Sequence, residues 1–263
     1  MKKYFVIGNP IDHSLSPKLH NHWFTKHNIK AVYDRKKINE KDLQSIISQV
    51  KEKQINGINV TVPFKKKIIP FLDELSLEAE NTQSVNTIYL ENNKIKGHNT
   101  DIDGFELSLK NIKFDVNGKK IFILGAGGVV PSIIFSLKKM KALKIFISNR
   151  TKTKAESLKD IFNDLSIVNW GEVPNFDLVI NATSLGLNEK DEINLDFSKI
   201  ENGKLFYDVI YNPKETNFLK KAKGMGNRIE NGKKMFIYQA AASFKIWHKI
   251  YPNIDEEVDK ILD

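Results

Sequence analysis

Between residues 120 and 209 four short apolar runs rich in β-branched residues recur: K120-I-F-I-L124, K144-I-F-I-S148, D177-L-V-I-N181 and L205-F-Y-D-V209. Stretches of helical period, near 130–140, 152–164, 215–222 and 233–249, separate or follow them. Strands joined by crossovers of that length pair in parallel, and a parallel sheet needs helices on both faces. The second part of the chain is therefore expected to be a doubly wound α/β layer. The first hundred residues repeat the alternation with strands at Y4-F-V-I-G8, A31-V-Y33 and I58-N-V-T-V62. A hairpin-like pair, V85-N-T-I-Y-L90 and K94-I-K-G-H98, follows. Helices are expected over 19–27 and 40–53, with a short piece after Pro63 that Pro70 ends or kinks. A domain boundary falls just after Asp101, and 263 residues suffice for two domains with separate cores.

Composition removes whole classes of chemistry. The chain has no cysteine, which excludes disulfides, thiolate metal sites and thiol nucleophiles. No secretory leader and no apolar run of roughly 20 residues is visible, so a soluble, cytoplasmic protein is expected. The formal charge of +9 is spread along the chain. Without an arginine-rich arm or an aromatic-interleaved basic strand, it argues for no nucleic-acid partner and for attraction of small anions. H20-N-H22 places its imidazoles on different faces of a predicted helix, so no metal site is expected.

Two features point to a phosphate-bearing cofactor. K120-I-F-I-L124 runs into Gly125, Ala126, Gly127, Gly128 and Val129 and then a helix with Pro131 near its start. Glycines there allow a tight turn and close approach of backbone amides to a pyrophosphate at the helix N-terminus. A structural turn accounts equally for the glycines, and Val130 stands where a third glycine is usual. After the next strand come Asn149, Arg150, Thr151 and Lys154. A carboxylate there would take the ribose 2′-hydroxyl of NAD, whereas an arginine grips a 2′-phosphate, so NADP(H) is favoured.

Polar stretches in the first part suggest the other half of a site. Ser14 and Ser16 precede Pro17, a pattern equal to an ordinary helix opening or to a carboxylate seat. Period two puts Asn59 and Thr61 on one face of their strand, and Lys65 follows the strand end. Asn86 closes V85-N86-T87, and Asp101 lies in N99-T100-D101-I-D-G104. Lys66 and Lys67 read as solvated charge on a short helix.

S-L-S-P, N-V-T-V-P-F-K, V-N-T, N-T-D-I-D-G, G-A-G-G, N-R-T, N-A-T-S-L-G and a late Q-A-A, in this order, resemble the shikimate dehydrogenase family from Gly8 to about Trp247. The resemblance implies NADPH-dependent reduction of 3-dehydroshikimate to shikimate, in the route to chorismate and aromatic amino acids. It implies a substrate domain of residues 1–101 plus 237–263 and a Rossmann-like NADP domain of 102–236, the C-terminal helices returning to the first domain. Lys65 and Asp101 would be the catalytic pair, with the carboxylate keeping the ammonium charged and oriented. Ser14 and Ser16 would take the substrate carboxylate, Asn59, Thr61, Asn86 and Asp101 the ring hydroxyls, and Tyr211 and Gln239 further substrate contacts. Thr183, Val209, Gly232 and Met235 would border the cofactor together with the glycine turn. A monomer or homodimer is expected. An NAD-using quinate/shikimate dehydrogenase and a non-catalytic dinucleotide-binding regulator are the alternatives.

Overall fold

A computed structural model describes residues 1–262 and divides the chain into two compact units, residues 1–104 with 237–263 and residues 105–236. The first unit holds strands β1 (Lys2–Gly8), β2 (Ala31–Lys37), β3 (Gly57–Val60), β4 (Glu74–Leu75), β5 (Thr87–Glu91) and β6 (Lys94–His98). Its helices are α1 (Ser16–Lys26), α2 (Leu43–Lys51) and α3 (Leu77–Thr82), followed by α4 (Asp101–Asn111), within which the chain enters the second unit. The strands form one mixed sheet in the order β2-β1-β3-β5-β6-β4. The first three run parallel, and β5 is antiparallel to both β3 and β6.

The second unit holds β7 (Lys120–Leu124), α5 (Val130–Lys139), β8 (Lys144–Ser148), α6 (Lys152–Glu156), β9 (Ser166–Ile167), β10 (Leu178–Asn181) and β11 (Leu205–Asp208). It closes with α7 (Asn217–Gly224), β12 (Arg228–Glu230) and the start of α8 (Lys233–His248), and α9 (Glu256–Ile261) ends the chain in the first unit. Its sheet is parallel throughout, in the order β12-β11-β10-β7-β8-β9. Reading outward from β7, that is the doubly wound dinucleotide-fold order, with its switch point between β7 and β10. Continuous apolar strands make this possible: Ile121, Ile123, Ile145, Ile147, Leu178 and Ile180 fill one side with α5, while Phe122, Val179 and Phe206 fill the other with α7.

Some local expectations need correction. The segment after Pro63 is a series of turns rather than a helix, closed by Phe64 N–H to the Thr61 carbonyl and Ile68 N–H to the Phe64 carbonyl. Lys67 there pairs with Glu40, and Lys66 is exposed. The helix expected over 152–164 stops at Glu156 and tightens into a 3₁₀ turn, Ser157–Asp160, a common way to end a helix. The unforeseen α3 is capped by Ser76, whose hydroxyl accepts from Ala79 N–H at 3.2 Å.

The end of α8 belongs to the first unit because its aromatic residues do. Phe244 and Trp247 pack with Tyr4, His20, Trp23, Phe24 and Tyr33. His20 lies flat on Tyr33, rings 4.3 Å apart and 2° from parallel, and neither of its nitrogens finds a partner among the described residues. Burial, with the nearby His248 adding to it, pushes this imidazole from 6.5 down to about 3. Because the unfolded chain binds the His20 proton more tightly, this group contributes stability above its ordinary range and loses it as pH falls toward 3. Each such group steepens acid unfolding by up to about 1.4 kcal/mol per pH unit. His20→Phe is accordingly expected to lose less stability than the parent between about pH 6.5 and about pH 4, read from urea midpoints; parallel curves would refute the assignment.

Candidate active site

Reversal of β5 brings three chain ends to one edge of the first unit. Asn59 pairs with Thr87 and Thr87 with His98, so the C-terminal ends of β3 and β6 flank the start of β5. The segments leaving or entering that edge are 61–67, 85–86 and 99–101. Val85 N–H donates to the Lys65 carbonyl at 2.9 Å, and Asn86 N–H to the His98 carbonyl at 3.0 Å, which fixes the three segments against one another.

Lys65 and Asp101 meet there. The ammonium Nζ lies 2.5 Å from Asp101 Oδ2, and the two side chains are 12% and 9% exposed. Asp101 opens α4, where the helix N-terminus favours negative charge. Its other oxygen, Oδ1, accepts from Asn86 Nδ2 at 2.9 Å. One lysine of the three-lysine run is thus half-buried against a carboxylate held on both oxygens, a geometry suited to giving or taking one proton.

The remaining first-unit candidates sit around this pair at different depths. Asn86 is buried and its Nδ2 also lies 3.5 Å from Gln239 Oε1 on α8. Thr61 is partly exposed just beyond β3, and its hydroxyl makes no hydrogen bond among the described residues. Ser14 and Ser16 face each other at the start of α1, hydroxyls 3.2 Å apart, with Arg35 Nε donating to the Ser14 carbonyl at 2.8 Å. Asn59 is also buried, with Tyr33 Oη donating to its Oδ1 at 2.6 Å.

The second unit carries the glycine turn at its switch point. Gly125 has φ +109°, and a Cβ there would come within 2.7 Å of the Ala182 carbonyl oxygen, so the turn after β7 requires glycine. The amides of Ala126, Gly127 and Val129 make no hydrogen bond among the described residues as they lead into α5. Free amides at the start of a ten-residue helix fit a dinucleotide pyrophosphate. After β8, Asn149 Nδ2 donates to the Thr151 carbonyl at 2.7 Å, which ties the turn. The side chains of Arg150 and Lys154 are exposed and unpaired among the described residues. Arg150 stands just before Thr151, the N-cap of α6, where a cation opposes the helix dipole and favours an anion.

At the ends of β10 and β11, Asp208 forms a node. Its carboxylate accepts from Asn181 Nδ2 at 3.1 Å, Thr216 Oγ1 at 2.7 Å and Ile210 N–H at 3.0 Å. Burial raises its carboxyl above the usual range, and these donors oppose the rise. Asn181 Oδ1 in turn accepts from the Thr183 hydroxyl at 2.7 Å. Val209 follows the node, and a Cβ at Gly232 would stand 2.0 Å from the Val209 carbonyl oxygen, so only glycine lets the two segments touch. Tyr211 stacks on Phe236 at 4.7 Å. Met235, expected beside the cofactor, is 6% exposed and belongs to the hydrophobic core against which Val209 packs.

Comparison with known proteins gives the family. Residues 6–88 match the family described as the shikimate dehydrogenase substrate binding domain, and residues 106–210 match shikimate / quinate 5-dehydrogenase. The shikimate dehydrogenase (NADP(+)) of Pelagibacter ubique is 58% identical over all of both chains. The chain belongs to the shikimate dehydrogenase family. A shikimate dehydrogenase solved in complex with NADP+ superposes with a TM-score of 0.93 at 35% identity, covering 100% of this chain and 94% of that one. The Thermus thermophilus enzyme, solved with NADP(H) and shikimate, gives 0.90 at 27% identity over 100% and 98%.

As a shikimate dehydrogenase family member the chain carries site-supporting residues that the sequence reading passed over: Tyr33, Thr87, Thr100, Ser243, Asn181 and Asp208. Thr87, Thr100 and Asn181 stand inside the motifs quoted above, but a motif does not show that these side chains are buried against one another and not against a ligand. Gly125→Ala forces both a strained backbone and a backbone clash, and should cost about 1–3 kcal/mol in urea unfolding. An unchanged midpoint would show that the turn relaxes freely.

Proposed function

We propose that the chain catalyses the reversible NADPH-dependent reduction of 3-dehydroshikimate to shikimate, a step toward chorismate and the aromatic amino acids. The observation that carries this reading is the Lys65–Asp101 pair, held by Asn86 at an edge where Thr61, Ser14, Ser16 and Gln239 present further polar groups. Reduced NADP, when bound, supplies the hydride. The amides of Ala126, Gly127 and Val129 would hold its pyrophosphate and Arg150, with Lys154, its 2′-phosphate.

Chemistry by the protein's own residues then follows. Negative charge grows on the ketone oxygen during reduction, and the Lys65 ammonium stabilises that charge and delivers the proton. Asp101 keeps the ammonium charged and aimed, and in the reverse direction the pair takes the proton back. Ser14 and Ser16 would seat the substrate carboxylate, while Thr61, Asn86 and Asp101 hold ring hydroxyls. Thr183, Val209, Gly232 and Met235 shape the cofactor side, Met235 from within the core. We further infer a cytoplasmic enzyme working as monomer or homodimer; among the described residues no helix is long and apolar enough to cross a membrane.

Lys65→Ala and Asp101→Asn should each lower NADPH oxidation with 3-dehydroshikimate by about 10²–10⁴ while circular dichroism stays native. No turnover by the parent chain with shikimate or quinate, in either direction, would sink the reading. Arg150→Gln should raise the KM for NADPH by about 10- to 100-fold, the worth of a charge-assisted pair, and leave the KM for NADH little changed. Equal effects on both cofactors would refute the 2′-phosphate role.

A further inference from the structure

We propose that Ser243 is a positioning residue for the reaction: through the Thr87 hydroxyl, its buried hydroxyl fixes the Asn86 carboxamide that holds Asp101. This rests on the Lys65–Asp101 reading given above. Ser243 lies on α8, fully buried, one helical turn after Gln239. Its Oγ stands 2.7 Å from Thr87 Oγ1, 3.0 Å from Thr100 Oγ1, 3.0 Å from Asn59 Nδ2 and 3.1 Å from the Gln239 carbonyl oxygen. Four groups from β3, β5, the loop before α4, and α8 itself therefore converge on one oxygen.

What this cluster controls is the orientation of Asn86. Its Oδ1 accepts from the Thr87 hydroxyl at 2.9 Å, the Thr100 hydroxyl at 3.1 Å and Thr100 N–H at 2.8 Å. A carboxamide whose oxygen accepts from the Thr100 N–H and from hydroxyls cannot flip, so its NH2 is committed to Asp101 at 2.9 Å and the Thr100 hydroxyl oxygen at 3.0 Å, with Gln239 at 3.5 Å. Ser243 has one hydroxyl hydrogen; given to Thr87 Oγ1 it leaves the Thr87 hydrogen for Asn86 Oδ1, and removing the Ser243 oxygen frees that hydroxyl to rotate away from Asn86. The aim of Asp101, and through it of Lys65, then loosens.

Asn59 belongs to the same support. Its two amide hydrogens are shared among the Asn86 carbonyl at 3.0 Å, Thr87 Oγ1 at 3.1 Å and Ser243 Oγ at 3.0 Å. No amide hydrogen is left for a ring hydroxyl, so Asn59 acts from behind the pair, linking it to Tyr33.

The test compares Ser243→Ala with Ser243→Cys, which keeps the size of the side chain but not its hydrogen bonding. Both should lower kcat about tenfold or more and shift the pH profile of kcat, with the KM for NADPH within about twofold of the parent. Thr87→Val reaches the cluster from β5 and should produce the same kcat loss and pH shift, and the Ser243→Ala/Thr87→Val double variant should be little worse than either single one. Parental kcat and pH profile in folded Ser243→Ala, or an impaired Ala variant beside a fully active Cys variant, would overturn the proposal while leaving the proposed function standing. An inactive parent chain would overturn both.

Discussion

A carboxamide buried without partners costs on the order of 1–3 kcal/mol, and of the three the first unit buries, Asn59, Asn86 and Asn99, the first two share one cluster of partners. Asn59 is satisfied by the Asn86 carbonyl and the hydroxyls of Tyr33, Thr87 and Ser243, and Asn86 by Thr87, Thr100 and Asp101. That requirement organises the unit. It needs β5 reversed beside β3 so that Thr87 falls opposite Asn59. It also needs a residue of α8 brought back into contact with strands more than a hundred residues earlier in the chain, which the aromatic packing of Phe244 and Trp247 secures. The Lys65–Asp101 pair joins this network through Asn86.

The second unit meets the same problem with a charge. Asp208 is buried among donors that carry no formal charge, and it fixes the turns after β10 and β11 where Thr183 and Val209 stand. Close backbone approach does the rest, at Gly125 against Ala182 and at Gly232 against Val209. Both units thus use buried polar groups to define loops that the sheets alone would leave free.

Much of this was legible in the chain. The alternation of apolar runs and helical stretches implied the parallel sheet, and the four long strands of the second unit lie within a residue of where the pattern put them. Ordered motifs implied Lys65, Asp101 and Asn86, which the structure brings together. Edge strands such as β9 and β12 were not legible, because two or three residues carry no period. Nor was the turn after Pro63, where lysines of good helix propensity sit in a segment held by strand-end hydrogen bonds. The inward turn of Asn59 escaped for a related reason: alternation says which residues share a face, but not whether that face meets a ligand or another layer of the protein. Ser243 carried no signal beyond standing four residues after Gln239.

The support behind the reacting pair is made of hydroxyls and amides, with no charge of its own, whereas the chain's basic character is spread over its surface. Mobile ions screen the second and hardly touch the first, since the Debye length at about 0.15 M salt is near 8 Å and the cluster is closed to solvent. Capture of an anionic ligand and turnover of the bound ligand are therefore governed by separate fields. Ionic strength acts on the first far more than on the second, so a change of salt alters how often this site fills much more than how well it works once filled.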